Sequence, residues 1–473
     1  MDEPTTSTVT PATANAGRPG GRTEVIAGTP SAGLDPSGEQ VVALTAAPRG
    51  RLIALVGRFR DQLVNLTAFT LLQAASYLIP VVTIPYFARI LGIAGLGLLA
   101  VSGAVALAAG VAMDYAVQLS GTRFAASHAD DPAAINRYLD VTTFLKLTLL
   151  CPIMLGLVGA TLVSDQVAAH FWVFFWSLVS AATICLFPQW LFQGLLAMPV
   201  AARILVSCRV GSAVGGMLLV RGEADTYAVP MTQAIGGMVA LLAAVIALRR
   251  RYSIVPGRAS VAEARALLRD NWTLFSATAW GAAYSHGGII IMSALLSTTS
   301  IGFYSIAQKI SQAFVSMFNV AAQTAFPSFV RSHRRNAGEF PRQILLYMTV
   351  VIAGSAAALA IMFLARHPIY GFFAGERNQL GVTIFVLWMI ASLFTITSVS
   401  LNPVMVVLRL DGAMASFYRL TGVTFLVLAP LACHYFGVVG MASAMLLTEG
   451  LMATFFAISV LRAARATRTA LPH

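Results

Sequence analysis

Three charged residues stand out because they fall inside long apolar runs: Asp114, Lys309 and Glu449. A charge at bilayer depth costs at least ~2.5 kcal/mol, so it normally faces a cavity, a partner or an ion. Glu449 lies midway along the last apolar run, where its carboxylate suits either a coupling proton or sodium ion, or a buried helix-packing pair. Asp114 sits one turn from the end of the second run and suits an end-of-helix hydrogen bond or the same coupling role. Lys309 is one of two lysines in the chain. Its ammonium can hold a diphosphate as a point charge, or snorkel to the membrane interface. Gln189 and Gln193 flank Trp190 with amide donors and an indole face fit for a sugar; the plainer role for such a tryptophan is an interfacial anchor. Arg89 and Arg123 bracket the second run on opposite sides. Either can meet phosphate, and Arg123 serves equally as a topology-setting charge.

The elements that carry these groups follow from composition. Of 473 residues, 58% are hydrophobic and 11% charged, and mean hydropathy is +0.77. Soluble domains run about 25% charged, so the bilayer is the solvent. Apolar blocks long enough to cross a ~30 Å hydrocarbon core are predicted near 64–87, 94–117, 141–163, 168–190, 204–220, 227–248, 272–296, 303–329, 343–365, 379–407, 416–436 and 438–461. Arg209 lies inside the short fifth block and is expected to snorkel, and the long block 379–407 should tilt, kink at Pro403 or end early. Residues 1–55, rich in Thr, Ser, Ala, Gly and Pro, read as a disordered tail. Cys151, Cys185, Cys208 and Cys433 lack paired spacing, so neither disulfide nor metal site is expected.

The net charge of +12 does not point to nucleic acid, because the arginines sit between apolar blocks rather than on one face of a soluble domain. Placed on the twelve-span reading, nearly all of them fall on one side, including Arg49, Arg51, Arg58, Arg60, Arg249 to Arg251, Arg331, Arg334 and Arg335, against Arg89, Arg221, Arg366 and Arg377 on the other. The positive-inside rule then puts both termini in the cytoplasm. An internal repeat agrees: NLTAFT at 65–70 matches NWTLFS at 271–276, Gly97 matches Gly302, Arg123 matches Arg331, and Pro188 matches Pro403. Offsets of 205 to 215 residues in constant order predict an all-α integral membrane protein of about 12 transmembrane helices in two pseudo-symmetric six-helix bundles. The bundles span 60–248 and 272–461, joined by a cytoplasmic linker at 249–271 and followed by a tail at 462–473. Paired bundles enclosing a cleft suit a transporter.

The runs IPYFARILGIAGLG at 84–97, MDYAVQLSGTRFAA at 113–126, PQWLFQGLLAM at 188–198 and IGFYSIAQKI at 301–310 resemble the polysaccharide transporter (O-antigen flippase) family of the multidrug/oligosaccharidyl-lipid/polysaccharide exporter superfamily. The resemblance covers roughly 60–461; Leu195 and Leu196 follow Gly194 where the family usually carries an acidic residue. It implies a bacterial inner-membrane flippase that moves a polyprenyl-diphosphate-linked oligosaccharide to the outer leaflet by alternating access, with membrane lipid and a coupling proton or sodium ion as further partners. It implies no cofactor. Export of drugs or of the peptidoglycan lipid precursor is the alternative within the superfamily. A polysaccharide polymerase or acyltransferase is the enzyme alternative, against which stand short outer loops and the lack of GxxxxGK[ST], HExxH or a strand-borne GxGxxG.

Overall fold

The computed structural model describes residues 49–252, 259–335 and 340–469, and compact packing begins at Arg58. Among the described residues every long element is an α-helix. They are α1 (Arg49–Asp114), α2 (Val117–Ser127), α3 (Pro132–Thr161), α4 (Asp165–Ala169), α5 (Phe171–Leu186), α6 (Gln189–Gly194) and α7 (Met198–Leu219). There follow α8 (Ala228–Tyr252), α9 (Val261–Leu295), α10 (Thr298–Arg335), α11 (Phe340–Leu364), α12 (Arg366–Ala374), α13 (Gln379–Val407) and α14 (Asp411–Thr469).

Eight helical stretches are both long and apolar enough to cross a bilayer. Two of them fold back on themselves at a glycine: Gly92 (φ 66°, ψ 177°) breaks α1 and Gly437 (φ 61°, ψ −143°) breaks α14. Only glycine occupies these dihedrals without a Cβ clash, so each stretch is two spans and eight becomes ten. The remaining two are α9 and α10, at 35 and 38 residues. They are long enough but carry polar residues such as Asn271, Ser285, His286, Gln308 and Lys309, which marks them as interior helices.

Several expectations are adjusted. Within the supposed linker 249–271, α8 continues to Tyr252 and α9 starts at Val261, fixed by a capping box in which Ser260 Oγ accepts from Ala262 N (3.2 Å) and Glu263 accepts from Ser260 N (3.1 Å). The tail 1–55 lies outside the described residues up to 48, and from Arg49 the chain is helical. The C-terminal tail is helical to Thr469, and 470–473 lie outside the described residues. The fifth span is a full 22-residue helix. Its Arg209 does not snorkel; the guanidinium turns inward and donates to Ser76 Oγ on α1. Span 379–407 forms one helix with Pro403 inside it.

Packing differs at the two ends of the molecule. At the end away from the arginine-rich loops, one apolar core runs through both halves of the chain, from Leu91, Ile93 and Leu96 across Ile301 and Phe303 to Tyr370, Phe385 and Phe425. At the arginine-rich end the core divides. Trp190, Phe192, Ala201 and Ala244 form one cluster in the first half, while Phe329, Phe340, Val404 and Phe456 form another in the second.

The two halves touch through glycines that the internal repeat aligns. A Cβ on Gly97 would overlap the backbone of Thr298, and one on Gly302 would overlap the backbone of Ile93. Each glycine thus meets the residue four before its counterpart, a reciprocity that a two-fold contact requires. Small residues let the helix backbones approach without intervening side chains. At the other end Arg137 pairs with Glu263 across α3 and α9 at 2.6 Å. The hydrogen bond from Arg137 holds the Glu263 carboxyl below its ordinary value. That contribution is present at neutral pH and fades as pH falls through the lowered value; with both side chains exposed it is small.

Candidate functional site

Lys309 differs from the residues around it on α10 in its exposure. On α10 the neighbours Ser305, Ile306, Ala307, Gln308, Ile310 and Ser311 are buried while Lys309 is exposed. It is eleven residues past Thr298, roughly 16 Å along the axis at 1.5 Å per residue, near mid-depth of a ~30 Å core. A four-carbon stem does not span that distance to an interface, so Lys309 does not snorkel to one. The ammonium acts electrostatically on His286 of α9.

Glu449 is 7% exposed within the second half. Tyr284 of α9 donates to its Oε1 at 2.8 Å. Two helices therefore meet on one carboxyl whose partner is a hydroxyl. Among the described residues no cation pairs with it. A buried carboxylate without a counter-charge is costly, and a proton or metal ion relieves that cost.

Asp114 takes the structural option. It ends the second span just before Tyr115 (φ 46°) and Ala116 (φ 59°), two non-glycine residues in the left-handed region. Oδ2 accepts from Gln118 N (3.1 Å) at the start of α2, and Oδ1 accepts from Lys146 Nζ (2.9 Å). Lys146, 3% exposed, also donates to the Cys185 carbonyl at 2.7 Å. Asp114 thus has a cationic partner where Glu449 has a hydroxyl. Replacing Lys146 with Met strands the carboxylate and should lower stability by about 2 kcal/mol, less than the ~3–5 of a wholly buried pair because Asp114 keeps some solvent. Thermal unfolding in detergent checks this, and adding Asp114→Asn should restore most of the loss.

The left-handed turn is braced from the second half: Tyr115 stacks on Phe275 (4.2 Å, 12°), and Asn271 Nδ2 donates to the Tyr115 carbonyl (3.3 Å) and Ser120 Oγ (2.9 Å). Lys146 and Asn271 were the functional-looking residues that sequence reasoning passed over. Lys146 was visible as the other lysine, inside the third span, and Asn271 as the first residue of the repeated NWTLFS.

Of the proposed sugar contacts, Trp190 is corrected. It is 1% exposed, with Gly121 against its ring and Tyr138 at its edge (5.3 Å), so neither indole face is open to a sugar. It folds α6 onto α2. Gln193 accepts from Gln118 Nε2 at 3.3 Å, and Gln189 stays half-buried nearby. Arg123 is exposed on α2 at the arginine-rich end. Arg89, at the other end, lies over the Phe372 ring (5.5 Å) and against Gly375, bridging the first half to the loop around α12. The structure thus does not gather the predicted contacts into one pocket: Lys309 is exposed on α10, Arg123 and Arg89 lie at opposite ends, and Asp114 and Glu449 are in different halves.

Residues 63–333 match the model of the polysaccharide biosynthesis protein family. The chain is 23% identical over 392 residues to a Shigella dysenteriae protein named "Putative O-antigen transporter", covering 83% of this chain and 98% of that one. It is 25% identical over 264 residues to an Escherichia coli (strain K12) protein of the same name, covering 56% and 63% respectively. Its fold is similar to an inward-facing multidrug resistance MATE family transporter of the MOP superfamily (TM-score 0.57, 12% identity, 87% of this chain and 96% of that one). A MOP superfamily transporter from Pyrococcus furiosus is also similar (TM-score 0.52, 11% identity, 86% and 96%).

Proposed function

The chain belongs to the polysaccharide biosynthesis protein family, and from that premise we propose that it is a multi-pass polysaccharide transporter that flips a polyprenyl-diphosphate-linked oligosaccharide from the inner to the outer leaflet. The observation that supports this reading is Lys309, an ammonium exposed near mid-depth on α10 among buried neighbours. A diphosphate and glycan need polar partners to enter hydrocarbon, because unpartnered polar groups there cost several kcal/mol each. The positive-inside rule supports a cytoplasmic arginine-rich end and two cytoplasmic termini. On that orientation Arg123 meets the diphosphate at loading, Lys309 holds it at mid-depth, and Arg89 is nearer release. Gln189 and Gln193 face the glycan only if α6 moves.

Two six-helix bundles, 60–248 and 272–461, would rock about the Gly97–Gly302 contact to open a cleft to either side. Glu449 is our candidate for the coupling group, binding a proton or sodium ion beside Tyr284.

Deletion in the native host tests the cargo. Surface glycan should fall and lipid-linked precursor accumulate in the inner leaflet; unchanged glycan with raised drug sensitivity would instead indicate a drug exporter. In proteoliposomes carrying a defined lipid-linked sugar, Glu449→Gln keeps the Tyr284 hydrogen bond but removes the titrating group. Flipping by this variant should no longer respond to an imposed pH or sodium gradient, and a retained response would reject Glu449 as the coupling group.

A further inference from the structure

Arg209 lines a half-open cavity of about 330 Å³ between α1, α5, α7 and α8. Every lining residue lies between Ser76 and Ala240, so Lys309 is not part of it. Arg209 is its one charged lining residue. The guanidinium is always protonated and has five N–H donors. Its one hydrogen bond is to Ser76 Oγ, which itself donates to the Leu72 carbonyl (2.8 Å). Among the described residues no carboxylate pairs with it. Arg209 is eleven residues from Met198, about 16 Å along the helix and so near mid-depth.

The remaining polar lining is mixed: the hydroxyls of Ser76, Ser212 and Thr232 already donate to the carbonyls of Leu72, Cys208 and Val229, which leaves Ser180, Thr83 and Gln233 as the further donors. Ser180 is 5% exposed and its hydroxyl has no hydrogen bond among the described residues, while Thr83 and Gln233 present a hydroxyl and an amide to the same space. An uncompensated guanidinium at this depth is unfavourable. A counter-ion removes the penalty, and the fixed positive charge, with no carboxylate in the lining, repels a cation. One fixed positive charge balances one negative charge, so a diphosphate would leave an excess. At ~30 Å³ per water, the cavity has room for a small anion and part of its hydration shell.

We infer that this cavity is a binding site for a small, singly charged anion of the halide or monocarboxylate class, seated on Arg209 and Ser180. The site is a property of the first half of the chain and stands apart from the flipping reaction, so its test uses binding alone.

The purified full-length protein in detergent is titrated with sodium chloride and observed by chloride NMR linewidth. Wild type should broaden the chloride line, and acetate should reverse the broadening by competition. Arg209→Gln should reduce the protein-dependent broadening at least tenfold, and Ser180→Ala, which keeps the charge, about threefold. Acetate competition on wild type needs no variant, so the inference remains testable if Arg209→Gln does not fold. Absence of broadening in wild type, or broadening unchanged in Arg209→Gln, overturns the site. Loss in Lys309→Ala with retention in Arg209→Gln would place the anion at Lys309 and overturn it equally.

Discussion

Lys309→Ala should slow flipping of a diphosphate-linked sugar in proteoliposomes by about 10- to 100-fold, the loss expected for a charge-assisted hydrogen bond worth ~1.5–3 kcal/mol. Lys309→Arg keeps the charge and should retain most of the rate. The alanine variant should fold as well as wild type, because Lys309 is exposed and makes no ion pair among the described residues. Removing a lone charge from membrane depth relieves a desolvation cost rather than adding one. Stability and rate therefore separate: a variant that flips at the wild-type rate shows that the ammonium does not meet the diphosphate.

The largest structural effect is expected from Gly302→Val, alone or with Gly97→Val. The first atom added at Gly302 overlaps the Ile93 carbonyl and at Gly97 the Thr298 carbonyl. Backbone on both sides cannot yield as a flexible side chain would, so the helices must separate. Overpacking of this kind commonly costs ~1–3 kcal/mol, occasionally more, and here the strain falls on the contact that joins the halves away from the arginine-rich loops. Spin labels at the exposed positions Leu162 and Tyr435, one in each half, report the separation. Their mean distance should lengthen by several ångströms in the variants and flipping should fall sharply. An unchanged distance would mean that the glycine contact is incidental to how the halves meet. Gly→Ala at Gly103, which has open space around it, is the matched control.

Much of this protein was legible in the chain itself. Apolar length fixes which segments cross a bilayer, because the hydrocarbon thickness and the helix rise are constants, and the twelve predicted blocks correspond to the spans formed once Gly92 and Gly437 are seen to break α1 and α14. The deep placement of Glu449 and Lys309 was legible for the same reason: a charge within an apolar run is visible without knowing its neighbours. The pairing of Gly97 with Gly302 was foreshadowed by the repeat, although only packing shows that the two touch.

What each polar group faces was decided by tertiary structure. Asp114 and Glu449 looked equivalent in the sequence, yet one found Lys146, 32 residues away, and the other Tyr284, 165 residues away. Trp190 reads in the sequence as a sugar contact, yet its ring is 1% exposed because Gly121 leaves room for it in the core. Arg209 read as a snorkelling residue and turned into a cavity because Ser76 accepts its proton there. Hydropathy is a sum over neighbours in the chain and so survives in the sequence. A partner for a buried charge depends on which helix faces come together, and that is set only when distant segments pack.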